Sequence, residues 1–391
     1  MDDNFLEDPF DLSNLRYSSA DKVNEFVNHI NSIDIDVLTS KNLIIIIGTG
    51  GTISMKIENG VSIPDLDCEK IIEVGVSHLR DKFTVESFEL FSLDSSQMNY
   101  SHISEIAIVI SYIYSKINSD IFLGFVLFHG TDTMSYSSAA LSLILGRGLP
   151  FSVVYTGAQK PMQEPMSDAV NNVRNSFYML ESLKNYNRAE VVIVMGRIAV
   201  LGSSSTKIDD EKIDAFTSPM HKYVAKFDKL EYPVVLADWL NERRDEDFHP
   251  LIWNDKYGHS LLVQSVLGLD PEVIMQQMDN NKIKAVILYS YGASTVYKKL
   301  IDKIIIKADN INVPVFVVNP TNAEPKPTYL SGKEMLDKGV IPLFMTLPAC
   351  LAKIEIAWRK YKNDIEKISE FMIESYVGEV PSEQSKYIEK R

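Results

Sequence analysis

The chain has 391 residues, 45% of them hydrophobic, and a formal net charge of −14. That length exceeds what one hydrophobic core usually organises, so two domains are expected, and the negative field disfavours nucleic acid or an anionic membrane surface as a partner. The acidic start, Met1 to Asp8, lacks the basic and apolar regions of a secretion signal, and the longest apolar runs are about eight residues against the roughly 20 a spanning helix needs. Cys68 and Cys350 are the only cysteines, so a reduced, soluble, cytoplasmic protein with small-molecule partners is expected.

Residues 1–41 read as a polar, acidic appendage with one amphipathic helix over Ala20–Ile33. Leu43-Ile44-Ile45-Ile46-Ile47 is the first strand and ends in the turn Gly48-Thr49-Gly50-Gly51-Thr52-Ile53. Ile121 to Phe128 is another, ending in His129-Gly130-Thr131-Asp132-Thr133-Met134. Apolar, β-branched runs of this kind read as buried strands of a parallel sheet, whose ligands collect beyond the carboxyl ends. Further strands are expected at 151–156 and 190–195, while Val170, Val173, Phe177 and Leu180 keep a helical period. Residues 231–260, with Pro233, Pro250 and the charged run Asn241 to Asp247, read as a linker. Beyond it, Lys284–Tyr289, Val313–Val318 and Val340–Phe344 are strand candidates, each followed by a helix-like stretch. The expected fold is α/β in two domains, a larger parallel-sheet, flavodoxin- or Rossmann-like domain over 42–230 and a smaller α/β domain over 261–391.

The turns lack the residues that the common phosphate-cradling motifs require, so nucleotide binding is the weaker reading. A dinucleotide fingerprint starting at Gly48 needs a third glycine where Ile53 stands, and a P-loop needs Gly-Lys-Ser/Thr at Thr52-Ile53-Ser54. The turns offer two threonine hydroxyls, the Asp132 carboxylate and backbone N–H groups left unobstructed by glycine, which are parts for acyl chemistry. Plainer readings stand beside this one. Thr131 or Thr133 equally reads as the cap of a helix through Ser138-Ala139-Ala140-Leu141, and Ser95 and Ser96 as ordinary turn residues. Lys207, in a charged stretch, reads as solvated, and His129 is assigned a structural role. His102 and His259 are isolated, no cluster has metal-ligand spacing, and no cofactor is implied.

The two turns resemble the hallmark motifs of bacterial-type L-asparaginases, in particular the cytosolic type I branch. Leu93-Asp94-Ser95-Ser96-Gln97-Met98, Thr156-Gly157-Ala158-Gln159-Lys160-Pro161, Ser205-Thr206-Lys207, Asp214-Ala215-Phe216-Thr217-Ser218-Pro219 and Ser290-Tyr291-Gly292 recur in the family's order. The similarity spans roughly residues 42–360. It implies hydrolysis of the side-chain amide of L-asparagine by a homodimer or homotetramer. Thr52 would be the nucleophile, and Thr131, Asp132 and Lys207 a second catalytic group. Ser95, Ser96, Asp132, Gly51 and Ala158 would hold the substrate, with Asp132 on its α-ammonium. Lys207 would serve as a base only if burial or nearby charge lowers its pKa.

The sequence departs from that family in several places. Ser62 stands where a loop tyrosine is expected, Tyr291-Gly292-Ala293-Ser294-Thr295 replaces Tyr-Gly-x-Gly-Asn, and Leu201-Gly202-Ser203-Ser204 replaces a segment with arginines. Tyr100 is a stand-in suggested by proximity alone. Two alternatives follow. One is the ammonia-supplying subunit of a tRNA-dependent amidotransferase, which would carry a further β-rich N-terminal domain that residues 1–41 do not supply. The other is an asparagine-binding sensor without turnover.

Overall fold

The computed structural model describes residues 5–34, 38, 41–58, 61–64, 67–227, 234, 236–240, 245–292, 294–321 and 330–381. Pro233 and Asn241 to Arg244, from the expected linker, lie outside them. The chain forms two units divided between Lys256 and Tyr257.

In the first unit the strands are β1 (Leu43–Gly50), β2 (Met55–Glu58), β3 (Val61–Pro64), β4 (Thr84–Leu93), β5 (Phe122–Phe128), β6 (Ser152–Thr156), β7 (Val191–Met195), β8 (Ile198–Leu201), β9 (Thr206–Lys207), β10 (Phe216–Thr217) and β11 (Ala225–Lys226). The helices between them are α1 (Ala20–Ser32), α2 (Cys68–Gly75), α3 (Tyr100–Lys116), α4 (Met134–Leu145) and α5 (Ala169–Asn185). A seven-stranded sheet runs β11-β8-β7-β6-β5-β1-β4. β1 pairs in parallel with β4 on one side and β5 on the other, and β5, β6 and β7 continue in parallel. β8 and β11 close one edge antiparallel. The α/β expectation therefore holds. After β1 the chain takes β4 on one side and then β5 on the other, which makes the carboxyl ends of β1 and β5 a topological switch point, where open α/β sheets bind ligands.

β1 and β5 are buried along nearly their whole length because helices cover both sheet faces, which is why their sequences are unbroken apolar runs. Ile44 and Ile46 share a core with Val173, Phe177 and Leu180 of α5. α1 buries Val23, Val27 and Ile30, one stripe at helical spacing, and its Asn24 accepts a 2.5 Å hydrogen bond from Tyr112 of α3. Just before α1, the backbone N–H groups of Arg16, Tyr17 and Ser18 converge on the buried Glu105 carboxylate at 2.6 to 2.9 Å. The Tyr17 ring stacks on His102 with centroids 4.0 Å apart.

The second unit has a four-stranded sheet in the order β12 (Ser260–Gln264), β13 (Ala285–Tyr289), β14 (Val315–Val318), β15 (Ile341–Pro342), parallel throughout. Helices α6 (Pro271–Met278), α7 (Lys298–Ile311) and α8 (Leu330–Asp337) connect the strands, and α9 (Leu347–Tyr361) and α10 (Ile365–Ile373) follow. Among the described residues no helix is long and apolar enough to cross a membrane.

Candidate active site

Glycine brings the turns together. Gly50 and Gly51 have φ of +96° and +100°, a region that L side chains avoid. The ladder between β1 and β4 slips a register here, swinging the chain out of the sheet toward β5. A Cβ on Gly51 would lie 2.4 Å from Gly130 N, so the backbones carrying Thr52 and Thr131 are in direct contact. A Cβ on Gly130 would lie 2.6 Å from Ser95 Oγ, and one on Gly157 would lie 2.4 Å from His129 O. Four segments after β1, β4, β5 and β6 thus meet at the switch point. Gly51→Ala is expected to cost about 1–3 kcal/mol, since both the clash and the positive φ must be relieved. Thermal melting measures it, and an unchanged midpoint would mean the two turns are not in contact.

Thr52 opens a short 3-10 turn, Thr52–Ser54, whose Gly51 carbonyl accepts from Ser54 N at 3.1 Å and Ser54 Oγ at 2.9 Å. Thr52 is half-buried. Thr133 takes the N-cap position of α4, but its side chain makes no capping bond. It donates to Ser95 O at 2.9 Å and so ties the β5 turn to the β4 turn. Thr131 Oγ1 instead meets Lys207, whose Nζ is 3.0 Å away. The capping alternative for these threonines is thereby replaced by contacts between loops.

Lys207 reaches Thr131 from the two-stranded ribbon in which it pairs with Phe216. Its ammonium also donates to Asp132 Oδ1 and Asp210 Oδ1, both at 2.7 Å, and the side chain is 15% exposed. Burial pulls its pKa down, but the hydrogen bonds and charges of Asp132 and Asp210 outweigh that pull and leave it above the ordinary lysine value. In the free protein Lys207 is therefore an ammonium, and the condition for it to act as a base is not met there.

Asp94 caps the Ser95–Gln97 turn by accepting from Ser96 N at 2.9 Å. Ser95 is buried, while the exposed Ser96 hydroxyl accepts from Gln97 Nε2 at 3.2 Å. Both serines are turn residues, and Ser95 also borders the Gly130 backbone. Ala158 is buried, and the amides after it, Gln159 N and Lys160 N, donate to the Asp168 carboxylate at 3.0 to 3.2 Å. His129 is fully buried and directs Nδ1 at Gly130 O, 2.7 Å away; burial pushes its pKa down to about 4, so the ring is neutral. Tyr100 packs on Trp253 with ring centroids 5.6 Å apart. The Ser62 side chain and Ala293 lie outside the described residues. No group of three or more His, Cys, Asp or Glu among the described residues is placed to hold a metal ion.

Residues 43–236, the stretch that supplies every one of these site contacts except the Trp253 ring, match the family model described as asparaginase, N-terminal. This stretch is an asparaginase-family domain. An L-asparaginase from Thermococcus kodakarensis, solved as a structure, is 25% identical and superposes with a TM-score of 0.73 over 87% of this chain and 99% of its own. L-asparaginase I from Vibrio cholerae, at 24% identity and a TM-score of 0.72, shares the fold. Among curated proteins, a glutamyl-tRNA(Gln) amidotransferase subunit from Saccharolobus solfataricus is 29% identical over 355 residues, 87% of this chain and 77% of its own length. The Pyrococcus furiosus protein of the same name is 29% identical over 357 residues, 86% of this chain and 76% of its own.

In this asparaginase-family domain three supporting groups escape the sequence reading. Asn172, fully buried on α5, donates to Gly157 O at 2.9 Å and to Asp168 Oδ2 at 2.8 Å, and its Oδ1 accepts from Gly196 N at 2.9 Å. Asp168 holds the loop after Ala158. Asp210 is the second carboxylate on Lys207. Their signal, a polar residue on a buried helix face or an acid at i+3 from the lysine, is visible only once its target is known.

Proposed function

We propose that the chain is an amidohydrolase that cleaves the side-chain amide of L-asparagine to L-aspartate and ammonia. The observation that carries this reading is the Lys207 ammonium set between Thr131 Oγ1 and Asp132 Oδ1, on a turn whose backbone touches that of Thr52. Thr52 Oγ attacks the amide carbon, its proton passes to the departing nitrogen, the C–N bond breaks and ammonia leaves an acyl ester on Thr52. Water then attacks the ester; Thr131 and Lys207 take its proton and return it to the Thr52 oxygen as the C–O bond breaks, which frees L-aspartate and the Thr52 hydroxyl. Asp132 pairs with the substrate α-ammonium, and Ser95 and Ser96 hold its α-carboxylate with Gly51 and Ala158 lining the pocket. That pairing takes one carboxylate from Lys207 and so lowers the lysine's pKa in the complex, which is when a base is needed. The working form is a cytoplasmic homodimer or homotetramer.

A second reading is favoured by the curated relatives named as amidotransferase subunits: the same chemistry would then supply ammonia for the amidation of a glutamyl-tRNA. Ammonia release from purified protein, with L-asparagine and L-glutamine in parallel, tests the proposal. Steady release from free L-asparagine supports it. Release only in the presence of charged tRNA and a companion enzyme transfers the reading to the amidotransferase. Asparagine binding by calorimetry without ammonia overturns both and leaves a sensor.

A further inference from the structure

The segment after Lys207 is rich in acids, and two of them, Asp209 and Asp214, are engaged elsewhere. Asp209 accepts from the backbone of Glu211 and Lys212, each at 2.9 Å, and from Lys212 Nζ at 2.7 Å. Asp214 accepts from Arg197 N at 2.8 Å and Arg197 Nε at 2.9 Å. Asp210 turns back, and its Oδ1 lies 2.7 Å from Lys207 Nζ. The loop that presents it is held at both sides, by Ile208 N donating to Ala215 O at 2.8 Å and Gln159 Nε2 donating to Lys212 O at 3.1 Å. Lys207 is therefore met by carboxylates from two elements, Asp132 on the turn after β5 and Asp210 on its own loop. His129 on that turn is neutral and aimed at Gly130 O.

Resting on the amide-hydrolysis reading, that arrangement has a consequence for charge. A free amino acid brings a second cation into a site that already holds the lysine. With Asp132 alone the two cations would compete for one carboxylate; with Asp210 each has its own. We infer that Asp210 is a positioning residue, the carboxylate that keeps Lys207 docked on Thr131 when the substrate's α-ammonium draws Asp132 away. Asp210 is 86% exposed, so its hold is of the size of a surface ion pair, enough to bias the lysine without fixing it as a permanent cation.

The test is a pH profile of kcat and KM for L-asparagine in wild type, Asp210→Asn and Asp210→Glu. Asp210→Asn is expected to raise KM about two- to fivefold, the scale of an exposed pair. It also shifts the acid limb of kcat to lower pH, because an amine relieved of a carboxylate loses its proton more readily. Asp210→Glu restores both. An unmoved acid limb with unchanged KM in Asp210→Asn overturns the assignment. A wild type that releases no ammonia defeats the hydrolysis reading alone. In that case the rate of Lys207 acetylation by acetic anhydride against pH, followed by peptide mass spectrometry, decides on Asp210. A curve displaced to lower pH in Asp210→Asn upholds the contact with Lys207, and superimposed curves overturn it.

Discussion

Ammonia release from L-asparagine is expected to fall by at least about 10³-fold in Thr52→Ala, with the protein still folded and still binding asparagine. The loss is of this size because no neighbouring hydroxyl can take over without rebuilding the site. Thr131 is held by Lys207 at 3.0 Å, and Thr133 spends its hydroxyl on Ser95 O. Stability is little affected, since Thr52 is half-buried at the mouth of the turn and the 3-10 hydrogen bonds there come from Ser54 to Gly51 O. Initial rates and a melting curve on the same preparation separate the two effects. Turnover surviving within tenfold would remove Thr52 from the chemistry and pass the nucleophile's role to Thr131.

Lys207→Met should lower kcat by about 10² to 10⁴, the usual range for a positioned proton-transfer group, while KM for L-asparagine stays level or falls. The asymmetry follows from charge. The variant loses the cation that competes for Asp132, so the α-ammonium binds unopposed, but it also loses the group that moves protons at Thr131. Folding tolerates the change, because the carboxylates left behind are 67% and 86% exposed and hydrate readily. In wild type kcat declines as pH falls and the amine is reprotonated; in Lys207→Met that acid limb is absent. A variant with full kcat would confine the lysine to a structural role.

The legible parts of the fold are those where burial on two faces leaves no room for polar residues. β1, β5, β6 and β7 stand out as apolar runs, and the structure adjusts each by only a few residues. β4 escapes the sequence because it alternates: Glu86, Ser87 and Glu89 interrupt Val85, Leu90 and Phe91 on a strand at the sheet's edge. α3 escapes for the opposite reason, since it is buried nearly all round and shows no clean polar stripe. In the site, the glycine-threonine turns are conspicuous because a chain that must leave a sheet abruptly, at positive φ, demands glycine. The roles of Ser95, Ser96 and Lys207 come from resemblance, as local sequence marks them only as turn and surface residues. Asp168, Asn172 and Asp210 act through contacts distant along the chain or within an acidic run, and Lys207's raised pKa depends on two carboxylates that only folding assembles.

The clamp on Glu105 bears on how much of the chain a shortened version can spare. Starting the protein at the first β-strand would strip away the N–H groups of Arg16, Tyr17 and Ser18 that satisfy this buried carboxylate. It would also uncover the ring of His102 and the apolar flank of α3 beneath α1. A trimmed protein of that kind would expose a sticky helix face next to the Ser95–Gln97 turn, so loss of yield and loss of turnover would arrive together. Shortening for crystallisation or production is better begun elsewhere.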